Sequence, residues 1–153
     1  MRASAAGLVL IVAGSLVVTK SARQSEAATR GSVIAAVRLA PEDGSGVRGV
    51  GFFREQNGRL SGWIAAWNLR PRTSHAVHFH APGSCGGPAA DAIAAHRDLV
   101  ADGNGVAYMN FALRVRQRVL QRRVYYNVHR GPATAGKTPS VACGDVRPES
   151  AAG

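Results

Sequence analysis

From residue 32 onward, hydrophobic and polar residues alternate in short runs that are separated by Gly, Pro, Asn and Asp. A period of two is typical of β-strands that bury one face. Asn57-Gly58 lies between two runs and predicts a tight hairpin. The predicted strands are Ser32–Leu39, Gly46–Glu55, Arg59–Leu69, Ser74–His80, Val106–Val115, Val119–Val128 and Val141–Val146. The pattern predicts an all-β fold, an immunoglobulin-like Greek-key β-barrel or sandwich of about eight antiparallel strands.

Three segments need a separate interpretation. Gly86–Leu99 is rich in Ala and is predicted to be a loop over one end of the barrel, with room for a helical turn. Arg130–Ser140 contains Gly, Pro and Thr and is predicted to be a second loop. Arg114–Arg123 contains five arginines, and the first three alternate with Val115 and Gln117. We interpret it as the solvated face of a strand; a basic interaction surface is the alternative.

Residues 1–28 are predicted to be a secretory signal. A basic start precedes a nearly uncharged run from Ala3 to Thr19, and small residues for cleavage follow near Ala27 or Ala28. This order is typical of exported proteins. The run is short for a membrane span, and an uncleaved N-terminal anchor is the alternative. We expect an exported protein that is extracellular, periplasmic or associated with the cell envelope.

The remaining domain, residues 29–147 with a predicted frayed tail at 148–153, is strongly basic. The whole chain has a formal net charge of +10, and loss of residues 1–27 would lower it to about +8, since three basic residues and one acidic residue are removed. A basic surface attracts anions, here small anionic substrates or an anionic cell envelope or membrane surface. Nucleic acid is not expected as the partner of an exported protein.

Two cysteines, Cys85 and Cys143, predict one disulfide, because an even number in an oxidising compartment usually pairs. The bond would close a loop of nearly sixty residues and stabilise the fold by about 4 kcal/mol in the chain-entropy model. Two free buried thiols are the alternative. A thiolate metal site is disfavoured because the cysteines are far apart in the sequence.

Three of the five histidines lie in Ser74–His80. His78 and His80 are two residues apart, so on a strand both side chains project from one face. Two imidazoles on one rigid face are half of a metal site. His75 is an odd number of residues from both and should support the site from behind. A half-buried strand with two hydrogen-bonded histidines is the alternative.

The other two histidines fall in the same region of the predicted fold. His96 lies in the first loop, and His129 ends the segment Tyr125-Tyr126-Asn127-Val128-His129. A disulfide between the two cysteines would tie the loop after His80 to the strand after His129. This convergence favours a metal site over a purely structural barrel.

Five segments resemble segments of one known family: HAVHFH at 75–80, APGSC at 81–85, VADGNGVA at 100–107, NVH at 127–129 and ACG at 142–144. On these segments, residues 32–146 resemble the copper/zinc superoxide dismutase family, in particular its bacterial exported branch. The first segment is similar to the family's H-G-F-H-V-H strand. The resemblance implies a superoxide dismutase type of barrel and copper ligands at His78, His80 and His129. It also implies that the family's disulfide corresponds to Cys85 and Cys143.

A fourth copper ligand lies in a G-G-H-x-D segment of the bacterial members. Ala94-Ala95-His96-Arg97-Asp98 resembles that segment, so the resemblance implies His96 as the fourth ligand. A solvent-exposed loop histidine is the alternative.

The chain departs from the family at the zinc site and at the anion-guiding arginine. The segment that carries the remaining zinc ligands is missing, and Asp91 and Asp98 are weak substitutes. Ser140 stands where the family places its arginine, although Arg130 or Lys137 could supply a charge nearby. The resemblance therefore implies a copper-only variant, with zinc not expected.

The implied function is dismutation of superoxide to dioxygen and hydrogen peroxide at a four-histidine copper site. Imidazole suits copper in both oxidation states, and His96 could carry a proton near neutral pH. Two alternatives remain: a non-catalytic copper-binding protein that uses His78, His80 and His129, and a metal-free structural module on the same barrel. The sequence leaves the oligomeric state undetermined.

Overall fold

The structure is a computed structural model and describes residues 32–149. The predicted signal, and the tail beyond residue 149, lie outside the described residues. Within them the only helical element is a 3₁₀ turn, Ala133–Ala135, and all other regular structure is β-strand. The strands are β1 Val33–Pro41, β2 Arg48–Gln56, β3 Arg59–Trp67, β4 Ser74–His75, β5 Val77–His80, β6 Ala92–Ala95, β7 Leu99–Val100, β8 Ala107–Arg114, β9 Tyr125–His129 and β10 Ser140–Pro148.

Eight of these strands form one curled antiparallel sheet, a half-barrel, in the order β6-β5-β9-β10-β1-β2-β3-β8. β4 and β7 form a separate two-stranded ladder. The all-β prediction is confirmed. Among the described residues, no helix is long and apolar enough to cross a membrane.

The predicted hairpin at Asn57-Gly58 is confirmed. Gln56 pairs with Arg59, so the loop has two residues. Asn57 and Gly58 have φ angles of 50° and 69°. Positive φ at both positions gives a turn whose twist matches that of the strands, and Asn-Gly tolerates it best.

The predicted strand at Val119–Val128 is wrong over its first half. Only residues 125–129 are a strand, and Val119 and Leu120 are buried in a turn. Their backbone N–H groups donate to Oε2 of Glu55, at 2.8 and 2.7 Å, and Glu55 is 1% exposed. These hydrogen bonds, and not strand pairing, hold Val119 and Leu120 in their buried positions. The arginine stretch is likewise not a continuous strand, because β8 ends at Arg114.

The segment Gly86–Leu99 also differs from its prediction, since it contains β6 and the first residue of β7 and no helical turn. Each short strand forms because a neighbour is available, β6 against β5 and β7 against β4. The predicted strand Ser74–His80 is interrupted at Ala76. The stretch 130–139 is a loop, as predicted, and contains the 3₁₀ turn. β10 continues to Pro148, and the Glu149 N–H donates to the Ile34 carbonyl.

Aromatic side chains on the inner face hold the half-barrel together. Phe53 lies with its ring centroid 4.9 Å from that of Phe79 and 5.5 Å from that of Tyr126. All three side chains are fully buried. Phe79 and Tyr126 belong to β5 and β9, so this packing fixes the two strands that carry the histidines.

Candidate metal centre

Strand alternation places the candidate ligands on the outer face of β5 and β9. In β5, Val77 and Phe79 are buried in the core, and His78 and His80 between them are only partly buried. In β9, Tyr126 and Val128 are buried in the core and His129 is partly buried. The two strands pair directly, so the outward side chains of both share one surface.

His78, His80 and His129 form a group that could hold a metal ion. One ring nitrogen from each lies within 4.8 Å of the others. Nδ1 of His78 is 3.3 Å from Nε2 of His129. Two nitrogens bound to one ion at about 2.0–2.1 Å in tetrahedral geometry lie about 3.3 Å apart. The spacing fits a shared ion.

Backbone carbonyls fix the tautomers of two of these histidines. Nδ1 of His80 is 2.8 Å from the Ala90 carbonyl, and Nδ1 of His129 is 2.7 Å from the Thr138 carbonyl. A carbonyl only accepts, so both Nδ1 atoms carry the proton and donate it. In the neutral ring, which is the form that binds a metal, Nε2 then has the free lone pair, and the carbonyls hold the rings in place.

A metal ion would satisfy an otherwise unpaired atom in this group. Nε2 of His80 is buried and has no hydrogen-bond partner. An unpaired buried acceptor costs about 1–3 kcal/mol, and nearly all buried polar atoms avoid that cost. The donor set, three imidazole nitrogens, suits zinc, copper, iron or nickel. The residues therefore fit a transition-metal ion, and their geometry alone does not select one element.

The pKa of His78 is lowered from its ordinary value. Burial is the largest cause, and the neighbouring His129 and His80 lower it further, while Asp98 opposes them. A lowered pKa keeps the imidazole neutral at pH 7, which is the form that binds a metal.

His75 lies behind the site and does not belong to the group. It is 3% exposed, and its Nδ1–H donates to the carbonyl of His129 at 2.8 Å. Its Nε2 is 2.8 Å from the hydroxyl of Thr73. His75 thus fixes the backbone that carries His129; its support of a metal site stays a prediction.

His96 is placed differently from the three grouped histidines. Its Nε2 accepts a hydrogen bond from the Tyr126 hydroxyl at 2.7 Å, and its Nδ1–H donates to the Arg97 carbonyl at 3.1 Å. Its ring stacks on Phe111 with a centroid separation of 4.3 Å. Both ring nitrogens are occupied in this conformation. Its role as a fourth ligand stays a prediction.

Burial lowers the pKa of His96 to about 4. The hydrogen bond to Arg97 and the charge of Asp98 raise the pKa, and His78 and the Arg97 charge lower it, but burial is the largest cause. Burial also raises the pKa of Tyr126 well above its ordinary value, so its hydroxyl keeps the proton that it donates. His96 as placed is neutral at pH 7 and does not titrate near neutrality.

The predicted disulfide between Cys85 and Cys143 is present, with Cα atoms 5.8 Å apart. The backbone N–H of Cys85 also donates to the Asp145 carboxylate at 2.8 Å. Both contacts tie the loop after β5 to β10. That loop supplies the Ala90 carbonyl that orients His80, so the disulfide stabilises one wall of the site.

The three histidines line an open cleft of about 580 Å³. Of the described residues that line it, Lys137 is the only one with a permanent positive charge, and Asp91 is the only carboxylate. Arg130 lines a different cleft, next to His75 and Asp98. The Asp98 carboxylate instead accepts from the N–H of Ala133, at the start of the 3₁₀ turn.

Two further side chains in the cleft were not identified from the sequence. Tyr125 stacks on His80 at 5.0 Å with an interplanar angle of 9°, and its hydroxyl accepts from the Ala90 N–H. Asn127 also lines the cleft. Both lie an even number of residues before His129. Strand alternation was therefore the one signal that could have placed them on the same face of β9 as His129.

No protein-family model matches this chain, and a comparison with curated proteins finds no significant match. The assignment of a function therefore depends on the site itself and on the segments that resemble a known family.

Proposed function

We propose that this protein is an exported, copper-only relative of the copper/zinc superoxide dismutases. Its copper would be held by His78, His80 and His129, and its activity would be the dismutation of superoxide. The observation that carries the proposal is the convergence of three ring nitrogens on one outer sheet face.

Dismutation oxidises one superoxide to dioxygen and reduces a second, with two protons, to hydrogen peroxide, and copper held by the three imidazoles would supply the one-electron redox chemistry that this needs. The chain's part is to hold the rings without large rearrangement. The carbonyls of Ala90 and Thr138 fix His80 and His129, and His75 fixes the backbone at His129. The pairing of β5 with β9 fixes their separation.

The strand order supports the proposed family. β3 neighbours β8, and β5 neighbours β9, so in both cases a strand pairs with one that comes several strands later in the chain. We take these crossovers as the Greek-key connections of a superoxide dismutase type of barrel. The disulfide supports export, because such bonds persist in oxidising compartments.

Superoxide is an anion, and charge at the cleft would increase its rate of encounter. Lys137 lines the cleft and is exposed. The net charge of the chain, +10, acts in the same direction over longer distances. Lys137 would take the part of the arginine that the family places at the position of Ser140.

Non-catalytic copper binding is the second candidate, and the position of His96 favours it. As a fourth ligand, His96 would have to give up its hydrogen bond to Tyr126 and its stacking on Phe111. A protein that stores or carries copper needs only the three grouped histidines.

The test is superoxide consumption by the protein loaded with one equivalent of Cu(II), together with Cu(II) affinity. We expect catalysis in the wild type, loss of both catalysis and tight binding in His129→Ala, and retained binding in His96→Ala. Tight one-to-one binding without catalysis would favour the second candidate. No binding by the wild type would refute both and leave a metal-free module.

A further inference from the structure

Two buried side-chain polar atoms in the described part of the chain have no hydrogen-bond partner, and both belong to residues that line the histidine cleft. Nε2 of His80 is accounted for as a metal ligand. The second atom is Oδ1 of Asn127, which the proposed function does not use. A buried acceptor without a partner is costly and rare. It therefore points to a ligand that the chain does not supply.

Strand register places Asn127 beside the candidate ligands. It is paired with His78 on β5, and it lies two residues before His129 on the same face of β9. Directly paired residues on antiparallel strands have Cβ atoms about 4.5–5.5 Å apart. The carboxamide is therefore flanked by two of the three grouped histidines.

We propose that Asn127 binds the water molecule that completes the coordination of the ion held by His78, His80 and His129. Oδ1 accepts a hydrogen bond from that water. This inference rests on the proposed metal site and is independent of dismutase activity. Three-histidine sites keep a position for water or substrate.

The test compares the wild type with Asn127→Leu and Asn127→Asp, using Cu(II) alone as the probe. Leu has a similar size and no acceptor, whereas Asp keeps acceptor oxygens. We measure Cu(II) affinity by competition calorimetry and the relaxation rate of water protons in the Cu(II)-loaded proteins. Loss of a group that supports a metal site typically costs 10–100-fold in affinity. We therefore expect about a tenfold loss and at least a halved inner-sphere relaxation in Asn127→Leu, with both retained in Asn127→Asp.

Melting of the metal-free proteins separates this role from a structural one. Because Asn127→Leu removes an unpaired acceptor, its melting temperature should equal or exceed that of the wild type. A melting temperature several degrees lower would show a structural role and overturn the inference. Unchanged affinity and relaxation in Asn127→Leu, or equal losses in both variants, would also overturn it while leaving the metal site standing. No Cu(II) binding by the wild type would refute the site and the inference together.

Discussion

Glu55 and the histidine cleft are two places where this small domain buries polar side chains, and they differ in one respect. The Glu55 carboxylate is almost fully buried and accepts two backbone hydrogen bonds from the turn at Val119 and Leu120. In the cleft, His80 and Asn127 each keep one buried atom without a partner. The Glu55 carboxylate is satisfied by the chain itself, whereas the described residues supply no partner for one atom each of His80 and Asn127.

The difference separates a structural role from a ligand-binding role. A satisfied buried polar group stabilises the fold that satisfies it, whereas an unsatisfied one lowers stability until a ligand arrives. By this criterion His96 belongs with Glu55, since both its ring nitrogens are paired. The comparison therefore assigns opposite mutational signatures to polar residues that are all at least partly buried.

The largest effect is expected for Glu55→Ala. It would leave the N–H groups of Val119 and Leu120 without their acceptor. Hydrogen bonds to a charged group contribute about 2 kcal/mol each, so the free energy of unfolding should fall by about 4 kcal/mol. Chemical denaturation of the metal-free protein measures this. Glu55→Gln keeps one acceptor and should lose less, and Glu149→Ala, on an exposed residue, should change stability by less than about 0.5 kcal/mol. If Glu55→Ala lost no more stability than Glu149→Ala, the contrast drawn between Glu55 and the histidine cleft would be refuted.

The next effect is a pH dependence that His96 gives to the metal-free protein. Its pKa is about 4 in the folded state and 6.5 as the ordinary value. Between these values the unfolded chain binds more protons than the folded protein does. The free energy of unfolding therefore falls as the pH drops from about 6.5 to about 4, and the full contribution of His96 is present above pH 6.5. The His96 contribution is at most about 3 kcal/mol.

Denaturation of metal-free protein at pH 7.5 and pH 4.5 tests this. His96→Gln keeps an acceptor for Tyr126 but cannot titrate, so it should lose less stability on acidification than the wild type. Equal losses in the two proteins would show that His96 is not a buried neutral group.

His80→Ala should separate stability from metal binding. In the metal-free protein it removes the hydrogen bond to the Ala90 carbonyl and also the unpaired Nε2. The two effects oppose each other, and we expect a net change below about 1 kcal/mol. Copper at 100 times its dissociation constant would stabilise the wild type by about 2.7 kcal/mol. Thermal melting with and without Cu(II) should show that this gain disappears in His80→Ala. A gain that persists would remove His80 from the site.

The smallest effect is expected for Lys137→Gln. Removing the permanent positive charge that lines the cleft should lower the rate of superoxide consumption a few-fold and weaken its dependence on ionic strength. Arg116→Gln removes the same charge from an exposed residue that does not line this cleft and is the matched control. Equal rates in the two variants would leave only the net charge to attract the anion.

Local patterns predicted the features that depend on local geometry. Strand alternation placed His78 and His80 on one face, and Asn-Gly predicted the hairpin between β2 and β3. The failures come from contacts between distant parts of the chain. Val119 and Leu120 have the composition of a strand, but a carboxylate more than sixty residues earlier holds them in a turn.

The candidate site was predictable in part for the same reason. The sequence identified the three grouped histidines, because two share a strand and the third ends another. It could not place His96, whose position depends on Tyr126 and Phe111. Nor could it single out Asn127, because a missing partner becomes visible only when all neighbours are in place.

The pairing of β1 with β10 has a consequence for the order in which the molecule forms. Ala35 lies opposite Pro148, so the first described strand completes its pairing only with the last one. Pairings that span almost the whole domain are slow to form, because a long loop must close first. His129 lies on β9, which is paired along β10. We therefore expect the histidine cleft to form late in folding, after β10 has paired with both β1 and β9.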